Sequence, residues 1–260
     1  MSDSPAFFRP IGILARREWF ALFRSPLAWT LLGVTSAMAG FMFYSALSLF
    51  QAQKMQFQMY GSNANLSLTQ LTVGPTFGNV AIILMLLIPL LTMRLVAEEK
   101  RRNTWEALVS SPLSPLQIVL GKYLGFLLFL AVLVGLLSLM PLTLFLYGNP
   151  DKGQVFTTLL GLFLLAGSFG AVGLAASCAT ENPVVAAILS FGTLLLLWIL
   201  GWSGDSTPVG TLFNYLCVVP HFESFLKGVI SSADLAYFLL LSSAGLLVAR
   251  QRLLAQRYQN

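Results

Sequence analysis

The sequence predicts an all-α membrane protein of six transmembrane helices, with an N-terminal amphipathic interfacial helix and short re-entrant helices before the last span. The 260 residues are 57% hydrophobic and 10% charged, whereas soluble domains average roughly 45–50% and about 25%. Several apolar runs reach the roughly 20 residues that a helix needs to cross the hydrocarbon core. The strands of a membrane barrel would alternate in hydrophobicity instead. Helices are therefore the predicted spanning structure.

The first element is an amphipathic segment at residues 11–24. Arg16, Arg17 and Arg24 recur among apolar residues at helical spacing, which is typical of a helix that lies in the membrane interface. We expect these arginines to face anionic lipid headgroups. Pro26 then favours the first turn of a new helix.

Six apolar runs follow, and each is predicted to span the membrane. A polar segment at residues 51–73 is predicted to be a loop that is partly helical. The charge-dense segment 94–114 is the other long connection between early spans. The predicted spans are residues 27–50, 74–93, 115–147, 154–179, 184–202 and 233–249.

The distribution of basic residues predicts the orientation of these spans. With six spans, twelve of the fifteen Lys and Arg residues lie on the side of both termini, and only Lys54, Lys152 and Lys227 lie on the other. Basic loops stay in the cytoplasm. We therefore expect cytoplasmic termini in a protein of the cytoplasmic membrane of a bacterium. The first ten residues lack the pattern of a cleaved signal peptide, so the first span is expected to direct insertion.

The segment 203–232 lies on the predicted outer side and contains apolar pieces at 209–219 and 222–230, both too short to span. They are predicted to be re-entrant helices, which packed protein must cover. His221, the single histidine, lies beside Glu223, with Lys227 farther along. The pair either transfers protons or caps a re-entrant helix, and the pattern leaves both interpretations open.

Several classes of function are excluded by what the sequence lacks. It has no Gly-x-x-x-x-Gly-Lys-Ser/Thr loop for phosphate, so we expect no enzyme activity, no catalytic residues and no cofactor in the chain itself. Its two cysteines, Cys178 and Cys217, predict neither a disulfide framework nor a metal site. The net charge of +5 is explained by the positive-inside bias rather than by nucleic acid.

The segment 94–114 is the most informative part of the chain. Asn103-Thr104 can cap a short helix, in which Glu106 lies near the positive end of the dipole. Trp105, Leu108 and Val109 form an apolar stripe on that helix. The pattern alone is equally compatible with an ordinary solvated loop.

Arg94-x-x-Ala97-Glu98-Glu99-Lys100-x-x-x-Thr104-x-Glu106-x-Leu108-x-x-x-Pro112, followed by Gly121-Lys122, resembles the cytoplasmic signature of ABC-2 type transporter permeases. The usual Gly before the Thr is Asn103 here. The resemblance implies that this loop contains the coupling helix for a separate ATPase subunit, which binds ATP and magnesium. It also implies that residues 11–24 are the connecting helix. The residues predicted to dock the ATPase are Arg94, Glu98, Glu99, Thr104, Trp105, Glu106 and Leu108.

The segment His221-Phe222-Glu223-Ser224-Phe225-x-Lys227-Gly228-Val229-Ile230-x-x-x-Asp234-x-x-Tyr237-Phe238 is similar to the region before the last span in the gliding-motility-associated branch of these permeases. This second resemblance implies an extracytoplasmic accessory protein as a partner.

Residues 1–260 are thus expected to form a single permease domain that pairs with a second permease half and exports a substrate. The alternative is a non-transporting scaffold that passes ATPase motion to an extracytoplasmic partner. An ion-coupled carrier is disfavoured, because no charged residue falls in the middle of a predicted span.

Overall fold

The structure, a computed structural model, describes residues 4–59, 67–101, 113–148, 150–203 and 213–257. The regular elements in these ranges are helices, and a 3₁₀ turn, Leu200–Ser203, extends the seventh of them. They are α1 (Ser4–Arg24), α2 (Pro26–Met59), α3 (Leu68–Thr92), α4 (Ala97–Arg101), α5 (Pro115–Tyr147), α6 (Lys152–Ala179), α7 (Pro183–Ile199), α8 (Val218–Leu226) and α9 (Ser232–Arg257).

Five of these helices, α2, α3, α5, α6 and α9, are long and apolar enough to cross a membrane. This confirms an all-helical, multi-pass membrane protein. The remaining predicted span, residues 184–202, corresponds to α7, which has 17 residues. That length is at the lower limit of roughly 17–25 residues for a spanning helix. The six-span count therefore stays a prediction.

The predicted boundaries hold for α5, whose bounds coincide with residues 115–147. The segment 51–73, predicted as a partly helical loop, is helical as far as Met59 and again from Leu68, so the predicted first two spans are too short at these ends. Gln, Met and Ala are good helix formers in spite of the polarity of this segment. The C-terminal segment after residue 249 is likewise helical as far as Arg257.

Local sequence signals account for the starts of the helices. Ser114 forms a capping box with Gln117, and Pro115 occupies the first position of α5. The side chain of Asn182 accepts a hydrogen bond from Val184 N at 3.0 Å at the start of α7. Such caps satisfy amide groups that the first turn of a helix leaves without partners.

α6 is the central helix and packs against α3, α5, α7, α8 and α9. Its glycines permit this close packing. A Cβ at Gly170 would collide with Phe126, and one at Gly173 would collide with Thr92. Small residues let helix backbones approach closely in membranes. Gly170 and Gly173 thus allow α6 to pack closely against other helices of the same chain.

α1 packs along α5 at a second glycine pair. A Cβ at Gly121 would lie 2.7 Å from Leu14, and one at Gly125 would lie 2.6 Å from Glu18 Cβ. Leu14 and Leu22 are buried. The apolar stripe of α1 therefore faces α5 rather than lipid alone, which differs from the expectation of a helix lying on the membrane surface.

The bundle has two distinct ends. Glu18, Lys122 and Cys178 lie at the end that we name the α1 end. α8 lies at the opposite, α8 end, where Gln154 Nε2 donates to Leu226 O at 2.7 Å. Gly228 closes α8 with a φ of 84°, a left-handed conformation that glycine adopts at little cost. The structure thus separates the two regions singled out in the sequence.

Candidate functional site

A buried lysine joins three helices at the α1 end. The Nζ atom of Lys122 on α5 lies 3.0 Å from Glu18 Oε1 on α1 and 2.8 Å from Glu99 Oε2 on α4. The Lys122 side chain is 0% exposed. A charge so placed is tolerated only with well-placed partners of opposite sign. The position of α4 is therefore coupled to those of α1 and α5.

Arg17 completes this group, which we name the ionic cluster: Arg17, Glu18, Glu99 and Lys122. Its Nη2 atom lies 3.9 Å from Glu99 Oε1, and its side chain is 61% exposed. Two carboxylates thus face two cations, so the cluster has no net formal charge. Most of the stabilisation from the ionic cluster is expected from the contacts of buried Lys122. The exposed Arg17 pair contributes little, because water screens it strongly.

α4 is also attached to the C-terminal end of α6. Lys100 Nζ donates to Cys178 O at 2.6 Å. The last carbonyl groups of a helix lack intrahelical donors and carry the negative end of its dipole, so an ammonium group there is favourable.

Ser177 provides a second attachment between the same segments. Its Oγ atom accepts hydrogen bonds from Ala97 N at 2.9 Å and Val96 N at 3.2 Å. It also donates to Met93 O at 3.2 Å. One hydroxyl group thus satisfies backbone groups in the break between α3 and α4, which fixes the direction in which α4 leaves the membrane helix.

Arg94 joins the end of α3 to the junction of α1 and α2. Its Nη1 atom donates to Ser25 Oγ at 3.1 Å, and its Nε atom lies 3.7 Å from Glu98 Oε2. The structure therefore brings together Arg94, Glu98 and Glu99 of the predicted docking residues. The other four, Thr104, Trp105, Glu106 and Leu108, lie outside the described residues.

The three arginines predicted for the interfacial helix have different surroundings. The guanidinium of Arg16 lies 5.6 Å from the centre of the Phe20 ring, a cation–π contact on the exposed face of α1. Arg17 belongs to the ionic cluster. Arg24 is exposed and lines a cleft next to Arg94. The three arginines therefore do not share the one predicted role of facing lipid headgroups.

Glu18, Lys100, Ser177 and Lys122 are not among the site residues that the sequence predicts. For the pair Glu18–Lys122, the sequence does contain an indication. Glu18 is the one acidic residue of α1, and Lys122 is the one charged residue of α5. An isolated charge in an apolar helix is costly without a partner, so Lys122 predicts a carboxylate from a neighbouring helix, and Glu18 is a candidate for it.

At the α8 end, the buried side chain of His221 on α8 contacts the start of α9 and the residues that precede α8. Its Nδ1 atom lies 2.6 Å from Asp234 Oδ1 on α9, and its Nε2 atom lies 2.9 Å from Tyr215 O. A carbonyl oxygen can only accept, so Nε2 carries a proton. The ring stacks on Tyr237 at 4.1 Å between centroids. His221 therefore connects α8 to the start of α9.

The predicted association of His221 with Glu223 is wrong. Glu223 instead pairs with Lys227 at 3.0 Å, one helical turn along α8, and both side chains are exposed. Residues two positions apart on a helix, such as His221 and Glu223, point in different directions, whereas residues four apart share a face.

The fold and site define a multi-pass helical membrane protein with an ionic cluster at one end. The sequence model of the family described as ABC-2 family transporter protein matches residues 35–216, well over half of the chain. The chain therefore belongs to the ABC-2 family of transporter proteins. A comparison with curated proteins found no match.

Family membership defines the chain as a membrane component of an ABC transporter, and it implies partnership with an ABC ATPase subunit. The matched region includes Glu99 and Lys122 of the ionic cluster. It does not include α1, which supplies Arg17 and Glu18.

Proposed function

We propose that this chain is the permease subunit of an ATP-driven exporter, in which a separate ATPase subunit binds ATP and magnesium. Family membership supports the permease role. The sequence lacks the phosphate-binding loop that ATP hydrolysis would need. In this proposal the chain moves a substrate out of the cytoplasm between two permease halves, of which the second is a copy of this chain or a related one.

The attachment of α4 is the observation that carries the proposal. α4 lies in the first part of the segment 94–114, and its Glu99 and Lys100 bind groups on α1, α5 and α6. A force applied to this segment would reach the ends of three helices through short polar contacts. This is the connection that a coupling segment requires, because packed elements transmit displacement to their neighbours.

Docking itself is assigned to the part of the segment that includes Trp105 and Glu106. A tryptophan that fills a pocket on a partner can contribute about 2 kcal/mol or more to binding. Glu106 would pair with a basic or hydrogen-bonding group of the ATPase. The two residues come four and five positions after the end of α4 in the chain, so a force on them would be passed to α4 through a short connection.

Six spans with the α1 end in the cytoplasm form the proposed topology, with α7 and its 3₁₀ turn as the fifth span. Three residues separate the end of α6 from the start of α7, and at the other end of α7 Cys217 Sγ donates a hydrogen bond to Trp198 O at 3.3 Å. α7 thus runs between the two ends of the bundle. The excess of basic residues supports a cytoplasmic α1 end, in a bacterial cytoplasmic membrane.

The test is co-purification of the parent chain and its variants with the ABC ATPase that binds the parent. We expect Trp105→Ala and Glu106→Arg to weaken the complex and to reduce ATP-driven transport, while membrane insertion stays normal. Matched controls at exposed positions are Trp29→Ala on α2 and Glu223→Arg on α8, and these should retain the ATPase.

Equal retention of the ATPase by the variants at positions 105 and 106 would contradict the docking assignment. Full ATPase coupling without movement of any substrate in proteoliposomes would favour the alternative of a mechanical scaffold with an extracytoplasmic accessory protein, as in the gliding-motility-associated branch.

A further inference from the structure

A cleft of about 490 Å³ lies at the α1 end, between the α1–α2 junction and the segment from the end of α3 into α4. This volume is within the roughly 300–1,000 Å³ that is typical of small-molecule sites. Three arginines and three glutamates line it together with apolar residues. The charged lining residues are Arg17, Arg24, Arg94, Glu18, Glu98 and Glu99.

The position of the cleft along the membrane normal is indicated by the start of α2. Pro26, the first residue of α2, lines the cleft. Trp29, one turn farther along, is 60% exposed, and its Nε1 atom donates to Phe23 O at 2.8 Å. An exposed tryptophan at the beginning of a spanning helix is typical of the headgroup region. The cleft therefore lies at the level of lipid phosphates.

The charges of the cleft favour a monovalent anion. Lys122 forms ion pairs with Glu18 and Glu99, and Arg17 also lies near Glu99. Among the residues that the structure describes, Arg24 and Arg94 raise the cations around the three carboxylates of the cleft to four, a formal surplus of one positive charge. Within the described ranges, Arg24 makes no ion pair.

Arg94 is positioned next to this surplus charge. Its hydrogen bond to Ser25 Oγ places its guanidinium beside the residue that follows Arg24. Its Glu98 partner is 3.7 Å away, which leaves donors of the guanidinium fork for a further acceptor. Arginine forks match the geometry of phosphate oxygens.

The apolar part of the cleft fits the rest of a lipid. Leu22, Leu91 and Leu95 line it and are buried. We infer that this cleft binds an anionic phospholipid, with Arg24 and Arg94 holding the phosphate and the exposed Ala21 and Pro26 contacting the glycerol and upper acyl carbons. The inference does not depend on ATPase docking, since it concerns the chain and the membrane alone.

The test measures lipid binding to the purified chain by native mass spectrometry. The chain in detergent is titrated with phosphatidylglycerol or, separately, with phosphatidylcholine. We expect tighter binding of phosphatidylglycerol, and about a fivefold loss in Arg24→Gln, the effect of one basic group near an anionic membrane surface. Arg24→Gln/Arg94→Gln should lose more. Arg16→Gln removes the same charge from the same helix outside the cleft, and it should bind like the parent.

Thermal unfolding of each variant separates lost binding from lost structure. Arg94 has structural partners, so Arg24→Gln decides the outcome if the double variant unfolds early. Unchanged phosphatidylglycerol affinity in folded Arg24→Gln would overturn the inference, as would equal affinity of the parent for the two lipids. Inorganic phosphate that displaces phosphatidylglycerol at equal concentration would overturn the assignment to lipid.

Discussion

Lys122 Nζ lies 2.8 Å from Glu99 Oε2, and this contact joins the first helix of the segment 94–114 to a membrane-spanning helix. The lysine side chain is fully buried, while that of Glu99 is 20% exposed. Because the ammonium group of Lys122 is shielded from water, solvent screens this ion pair only weakly. Glu18 adds a second carboxylate from α1 at 3.0 Å. Motion of the segment and motion of α1 would thus be coupled through one ammonium group.

We predict that Lys122→Met lowers the stability of the chain. It leaves the carboxylates of buried Glu18 and partly exposed Glu99 close together without the ammonium group, and breaking a buried pair costs about 3–5 kcal/mol. Thermal unfolding in detergent checks this. Lys227→Met breaks an exposed pair on α8 and is the matched control, with an unfolding temperature close to that of the parent. An unfolding temperature of Lys122→Met equal to that of the control would show that the cluster does not stabilise the fold.

The packing of α1 against α5 predicts a difference between two glycines of the same helix. Gly125→Ala would place its Cβ 2.6 Å from Glu18 Cβ and 2.9 Å from Ala15 O, so the helices must separate. Overpacking of this kind costs about 1–3 kcal/mol. A Cβ at Gly135 meets nothing within 4 Å, so Gly135→Ala should retain the parent stability. Proteolysis within α1 should be faster in Gly125→Ala alone, and equal rates in the two variants would refute the close contact.

At the α8 end, Asp234→Asn is predicted to loosen the connection between α8 and α9. It replaces the charged partner of His221 Nδ1 at 2.6 Å. A hydrogen bond to a charged group contributes about 1.5–3 kcal/mol. Hydrogen exchange of the α8 amides should increase. Glu223→Gln, which changes an exposed carboxylate on α8, should leave that exchange unchanged. Equal effects of the two substitutions would argue against the His221–Asp234 contact.

The two cysteines provide a prediction about reactivity. Cys178 is 0% exposed and Cys217 is 1% exposed. Since a thiol must be reached by solvent to be alkylated, the folded chain should react slowly with N-ethylmaleimide, and both thiols should react after denaturation in sodium dodecyl sulfate. Mass spectrometry counts the adducts. Rapid alkylation of either thiol in the folded chain would contradict the packing around it.

Because both thiols are buried, the native chain is also a suitable background for mapping topology. A cysteine introduced at Lys54 is expected to react with an impermeant maleimide added outside intact cells, whereas one introduced at Arg16 should not. Both positions are exposed, so a difference in labelling reports sidedness. Labelling of position 16 from outside would overturn the proposed orientation.

Much of the fold was predictable because its signals are local. The membrane class follows from composition, and the start of α5 follows from Ser114, Pro115 and Gln117, which lie next to one another in the chain. The end of α2 was not predictable in this way. Its last residues are polar but helix-forming, so a rule based on hydropathy ends the helix too early.

By itself, the sequence determined the class of protein, the approximate position of the five long apolar helices and the charge-rich segment at 94–114. Only the tertiary structure decided which charges meet. It paired Lys122 with Glu18, 104 positions away, and His221 with Asp234 rather than Glu223. Periodicity reports which face of a helix a residue occupies. Which helix covers that face depends on how closely the backbones approach, as Gly125 shows, and this is a property of the packed bundle.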